Sequence, residues 1–277
     1  MLSWAGFWDP QASEGRSLYA RTCPIRPERV CMISVMPNEY LFIALIVFAA
    51  GFVQGLSGFG SALIALPLLS LFLPMRFVVP FIILIGFSIN LMLLREYRGH
   101  VNVSGSSLLI AGSLPGIPLG VLTLAACPEW ILQLVLGWLL MFISLSSISK
   151  HSPQSTPGRG WALISGLISG WLGGSLGTSG PPTIIYLSSQ PWPKEVIKAT
   201  LVSYFFVSGL FVIGMQAVQG FFTSPVLSAY LLSLPVLFLG VACGSTSFKR
   251  IGQAQYILII NVLLAFLGVV SVIKGLM

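Results

Sequence analysis

The chain has 277 residues, of which 56% are hydrophobic and only 8% charged, with a formal net charge of +7 and a mean hydropathy of +0.94. Soluble domains carry about 25% charged residues, so the composition excludes an ordinary soluble protein and points to an integral membrane protein. The basic residues are scattered through connections between apolar runs and form no face or stripe, so they imply a lipid bilayer and no nucleic-acid partner.

Residues 1–36 stand apart as a polar tail in which Arg16, Arg21, Arg26 and Arg29 are balanced by Asp9, Glu14 and Glu28, with Glu39 just beyond. No apolar run follows a basic start here, so the segment does not read as a secretory signal peptide. A start at Met32 or Met36 would remove most or all of it. Beyond it, apolar runs occupy 40–73, 77–94, 104–126, 130–148, 161–190, 196–218, 221–246 and 255–273. Most are long enough to cross a bilayer as helix, which takes roughly 17–25 residues. No alternating polar and apolar strands appear, so helices must satisfy the backbone in lipid.

Two of these runs are broken by glycine near their middles: "GFVQGLSGFGS" from Gly51 and "GWLGGSLGTSGPP" from Gly170. A shift of 119 residues lays Gly51, Gly55 and Gly58 over Gly170, Gly174 and Gly177, and Pro74 over Pro193; one further residue of offset lays Gly120 over Gly240. The expected organisation is therefore a tail (1–36), a first transmembrane repeat (37–150), a Pro, Gly and Ser-rich linker (151–160) and a second repeat (161–277). Each repeat reads as an interrupted or re-entrant helix pair followed by about three transmembrane helices. If the pair enters and leaves by one side, three more crossings leave the second copy inverted, as in secondary transporters. The fold class expected is thus an all-α polytopic membrane protein of two inverted repeats. This topology puts Arg95, Arg98, Lys150, Arg159, Lys194, Lys198, Lys249 and Arg250 on one side and Arg76 and Lys274 on the other, which makes the first side cytoplasmic.

Why a membrane span should contain helix breakers then has a physical answer. Non-helical backbone at membrane depth lines a cavity or is buried in protein, glycine brings backbone close to a ligand, and Ser and Thr add hydroxyl donors. Ser57, Gly58, Phe59, Gly60 and Ser61 are expected to face Gly177, Thr178, Ser179 and Gly180 across one substrate site. Pro181 and Pro182 suit the first turn of the helix that follows. Tight helix packing is the competing role of glycine, and it is the one expected for Gly116 with Gly120 and for Gly240 with Gly244.

The interiors of the runs offer Gln54, Asn90, Gln133, Gln216 and Asn261 as uncharged polar groups, and charges are counted as flanking. Neutral donors and helix N-termini favour a small inorganic or organic oxyanion over a metal cation, which would call for carboxylates. Cys23, Cys31, Cys127 and Cys243 form no C-x-x-C pair, and His100 and His151 sit in polar connections, so neither a metal or cofactor site nor enzymatic catalysis is expected. A passive anion pore would use the same dipoles, and a scaffold acting through the tail is a further alternative. Nothing in the sequence sets the oligomeric state or the coupling ion.

"GFVQGLSGFGSALIALPLL" followed one repeat later by "GWLGGSLGTSGPPTIIYL" resembles the TauE/SafE family of membrane transporters. The resemblance runs from Tyr40 to the C-terminus. It implies a multi-pass permease of a bacterial-type cell membrane, exporting sulfite or an organosulfonate or taking up a related sulfur-containing or carboxylate anion. It places the matching motifs at 51–61 and 170–182.

Overall fold

The computed structural model describes residues 37–97, 99, 101–148, 158–247 and 268–276. The tail, most of the expected linker and most of the run at 255–273 lie outside the described residues. From Tyr40 onward the chain forms one compact unit, and the described residues contain helices and no strand. In chain order these are α1 (Pro37–Ser57), α2 (Ser61–Ser70), α3 (Met75–Tyr97), α4 (Val103–Ala126), α5 (Glu129–Ile148), α6 (Arg159–Leu176), α7 (Gly180–Ser188), α8 (Lys194–Val218), α9 (Ser224–Ser247) and α10 at 268–276. Segments of α3, α4, α8 and α9 are long and apolar enough to cross a membrane: Met75–Arg95, Gly105–Ala126, Glu195–Val218 and Ser224–Thr246. Large apolar side chains such as Leu41, Trp138, Phe142 and Leu232 stand exposed on the outside of the unit, as lipid-facing positions do. The chain is a membrane protein.

Each interrupted run folds as a hairpin of one long and one short helix. The ring of Phe42, near the start of α1, meets Phe72, just past the end of α2, edge to face at 4.9 Å. In the second hairpin the buried hydroxyls of Ser169 on α6 and Thr183 on α7 lie 2.6 Å apart. At about 1.5 Å per residue, the 10-residue α2 and the 9-residue α7 each reach about half the depth of a bilayer core some 30 Å thick. Each chain segment therefore returns toward the end from which it came.

The two hairpins enter from opposite ends. Beside the glycines of α4, carbonyls of α6 climb in the same order: Gly112 by Leu163, Gly116 by Leu167, Gly120 by Trp171. α4 and α6 thus run parallel. The same test makes α1 and α9 parallel, with Gly240 by Phe48 and Gly244 by Phe52. α8 runs alongside α4, since the Asn102 amide donates to Thr200 Oγ1 near both N-termini, and a short connection reverses the chain into α9. Hence α1 starts at the end where α8 finishes, and α6 at the end where α8 begins. Arg76 and Lys274 mark the first of these ends. Arg76 donates to the Ala125 carbonyl at 2.6 Å, and Lys274 Nζ donates to the carbonyls of Ser70 and Leu71, so both cations meet the negative C-terminal ends of helices. Arg95, Arg159, Lys194 and Lys198 occupy the other end.

Glycine explains why these helices approach so closely. A methyl group on Gly51 would stand 2.9 Å from the Leu237 carbonyl oxygen, on Gly55 2.5 Å from that of Val241, and on Gly174 2.6 Å from that of Ile117. Gly116, Gly120, Gly240 and Gly244 have the packing role expected of them. Gly51, Gly55, Gly170 and Gly174, the leading glycines of the two motifs, are packing residues too: α1 seats on α9 and α6 on α4 through backbone contact, as small-residue membrane interfaces do.

Candidate functional site

Among the described residues, three of the four with positive φ are the glycines that break the hairpins. Gly58 (φ 80) and Gly60 (φ 103) turn the chain between α1 and α2, and Gly177 (φ 68) ends α6. The left-handed region costs a side-chain-bearing residue roughly 1–2 kcal/mol, which is why glycine stands there. At the second break the Gly177 amide donates to the Gly173 carbonyl at 3.1 Å and the Thr178 amide reaches that of Leu172 at 3.4 Å, so the last turn of α6 is closed within itself.

The two breaks share one cavity of about 70 Å³, several times the roughly 10–15 Å³ that one water needs. Its wall contains Phe59, Gly60 and Ser61 from the first break and Gly177, Thr178, Ser179 and Gly180 from the second. Seven of the nine expected residues are brought together in this way. Gly58 is not in the wall. Ser57 is the last residue of α1, and Gly58 is covered by the Lys198 side chain, whose Cε would lie 2.8 Å from a methyl group added there. Further wall comes from α3, at Ile82, Ile83, Gly86, Phe87 and Asn90, and from α8, at Phe205, Ser208, Gly209 and Val212. These positions lie near the middles of two helices 23 and 25 residues long, which puts the cavity at mid-depth.

Donors reach the cavity by different routes from its two sides. α2 begins at Ser61, with Gly60 at its N-cap and no side chain capping it, so the free amides of Ser61, Ala62 and Leu63 end at the wall together with the positive end of the helix. α7 also begins at the cavity without a side-chain cap, but after Gly180 prolines fill its second and third positions. Proline has no amide hydrogen. On that side only the Gly180 amide is left in the first turn, beside the hydroxyl-bearing Thr178 and Ser179, with Ser208 of α8 next to them.

Three side chains whose place in the wall the sequence did not reveal are Gln54, Asn90 and Ser208. Gln54 and Asn90 are 3% and 6% exposed, and Gln54 Nε2 donates to Asn90 Oδ1 at 3.1 Å. Ser61 donates its hydroxyl to Gln54 Oε1. A lone amide within an apolar run was the available signal, since such groups in a membrane interior need partners. What brings α1, α2 and α3 together here is tertiary.

One expectation needs correction. Lys198, counted in the sequence among flanking charges, lies inside the candidate span Glu195–Val218, half-buried against Gly58. It stands seven residues before Phe205, hence on the same face of α8 as the cavity wall. Charges near span ends are tolerated because long lysine side chains extend along apolar surface toward the interface.

The sequence profile described as sulfite exporter TauE/SafE matches residues 43–271. A curated protein of Cupriavidus necator, the probable sulfite/organosulfonate exporter TauE, is 27% identical over 202 residues, covering 71% of this chain and 79% of its own length. No solved structure matches the chain. With the profile spanning nearly all of the described unit, the chain belongs to the sulfite exporter TauE/SafE family of membrane transporters.

Proposed function

We propose that the chain is a secondary transporter of the cell membrane that exports a small oxyanion, sulfite or an organosulfonate, by alternating access around the mid-depth cavity. The observation that carries this reading is the meeting of two oppositely entering hairpins at one cavity lined by a free helix N-terminus, hydroxyls and an amide. Such a lining offers hydrogen-bond donors to an anion without a buried countercharge. The halves 37–150 and 161–277 act as inverted repeats, and rocking of the hairpins against α3 and α8 exposes the cavity to each side in turn. The substrate contacts are Phe59, Gly60 and Ser61 with Gly177, Thr178, Ser179 and Gly180, while Ser57 and Gly58 shape the first break. The Lys198 end is cytoplasmic, by its excess of basic residues. The name of the Cupriavidus relative supports the choice of sulfur oxyanions.

The test is uptake of labelled sulfite into proteoliposomes holding the purified protein, competed with sulfate, a sulfonate and a carboxylate at fixed membrane potential. Saturable uptake accelerated by unlabelled anion on the opposite side is expected. Uptake that neither saturates nor responds to trans anion would make the protein a passive pore instead. A second arm uses Gly86, whose added methyl group would meet nothing within 4 Å. Gly86→Val fills cavity space without disturbing packing, so uptake is expected to be lost with the melting temperature retained; full uptake would displace the site from this cavity.

A further inference from the structure

We propose that Gln54 is a positioning residue that sets the hydrogen-bond polarity of the cavity, turning the amide hydrogens of Asn90 toward the substrate and so selecting a deprotonated oxyanion. The inference rests on the transport reading above and adds the group that confers charge selectivity.

A carbonyl oxygen only accepts, so the Ser61 hydroxyl must donate to Gln54 Oε1. Gln54 then has only its Nε2 hydrogens to offer on its other side, and it gives one to Asn90 Oδ1 at 3.1 Å. With Oδ1 turned to Gln54, the amide group that Asn90 has on its other side for the cavity it lines is Nδ2, a donor. A reversed chain, with Asn90 Nδ2 donating to Gln54, would turn a carbonyl oxygen toward the ligand and repel an anion. Three helices contribute one member each: Gln54 from α1, Ser61 from α2 and Asn90 from α3. All three side chains are buried, so water competes poorly for these bonds and their direction is held. The other half of the cavity has no counterpart, since the repeat lays Gly173 over Gln54 and Gly209 over Asn90. One wall therefore carries the oriented amide, and the facing wall carries hydroxyls, which rotate to suit either partner.

The experiment is a double-mutant cycle read as KM and kcat for labelled sulfite in proteoliposomes, with monodispersity and melting temperature checked for each protein. Asn90→Ala removes the donor and is expected to raise KM about tenfold to hundredfold, the worth of a hydrogen bond to a charged group, with kcat little changed. Gln54→Met leaves Asn90 free to turn and is expected to raise KM about threefold to tenfold. If Gln54 acts through Asn90, adding Gln54→Met to Asn90→Ala raises KM no further. Should Asn90→Ala fail to fold, Asn90→Ser takes its place in the cycle. Independent, multiplying effects of the two substitutions would overturn the relay, as would an unchanged KM in either single variant of a transporting protein. Absence of saturable sulfite uptake by the unsubstituted protein would instead overturn the transport reading itself.

Discussion

The two hairpins are built alike and furnished differently. Both pair a long helix with a short one, both break at a left-handed glycine, and both seat the long helix on a neighbour by glycine-to-backbone contact. At the first break α2 opens with three amides and an amide relay behind it; at the second, α7 keeps the amide of Gly180 but carries prolines at its next two positions, beside the hydroxyl-bearing Thr178 and Ser179. Glycine spacing, which controls how closely helices approach, recurs in both halves. The donors do not. Repetition in this molecule is a property of packing, and the chemistry of the cavity belongs to each half separately.

The packing side of the comparison should break first and in both halves alike. Gly120→Val or Gly244→Val drives a side chain into the backbone of α6 or α1, and overpacking of this kind costs about 1–3 kcal/mol or more. We expect both variants to lose folded protein in fluorescence-detected gel filtration, and a normal profile for either would contradict the close approach at that interface.

Next in size is exchange of the N-terminal chemistry. Ala62→Pro gives α2 the proline that α7 already carries, removing one amide where proline is structurally tolerated. An increase of about tenfold in KM for the oxyanion is expected at a nearly constant melting temperature. Pro182→Ala restores an amide to α7 and should lower KM slightly or leave it unchanged. If the two variants behaved identically, the difference drawn between the helix N-termini would be wrong.

Smaller effects separate the two turns. Gly58→Ala combines a φ of 80° with a collision against the Lys198 side chain, whereas Gly177→Ala at φ 68° meets only ordinary contacts, the nearest at 3.5 Å. Denaturation should show a loss of about 1–2 kcal/mol at Gly177 and more at Gly58; the reverse order would mean that Lys198 moves aside freely. Smallest is Thr183→Val, which removes one hydroxyl from the buried pair with Ser169 and should cost about 1 kcal/mol. A stability unchanged by this substitution would show that the pair does not hold α6 to α7.

The break points were legible in the sequence because glycine between apolar runs has a local meaning: "LSGFGS" and "LGTSGPP" are where α1 and α6 end. Local, too, was the start of α7 at Gly180, since proline at the first turn is a property of the turn itself. Gln54 and Asn90 were visible only as isolated amides, because a hydrogen bond between residues 36 apart leaves no periodic trace. The leading glycines of both motifs could have served ligand or packing equally well, and the neighbouring backbones of α9 and α4 decided for packing.

By itself, then, the sequence determined that this is a membrane protein of helices and where its helices are interrupted. These follow from composition, chain length per bilayer thickness and backbone stereochemistry, which act within a few residues. Only the tertiary structure decided that both breaks open on one cavity, that α3 and α8 complete its walls, that Lys198 lies over Gly58, and which way the Ser61–Gln54–Asn90 chain points. Those depend on how helices distant in sequence stack and turn about their axes, and that is set by side-chain volume and hydrogen-bond partners across the contacts.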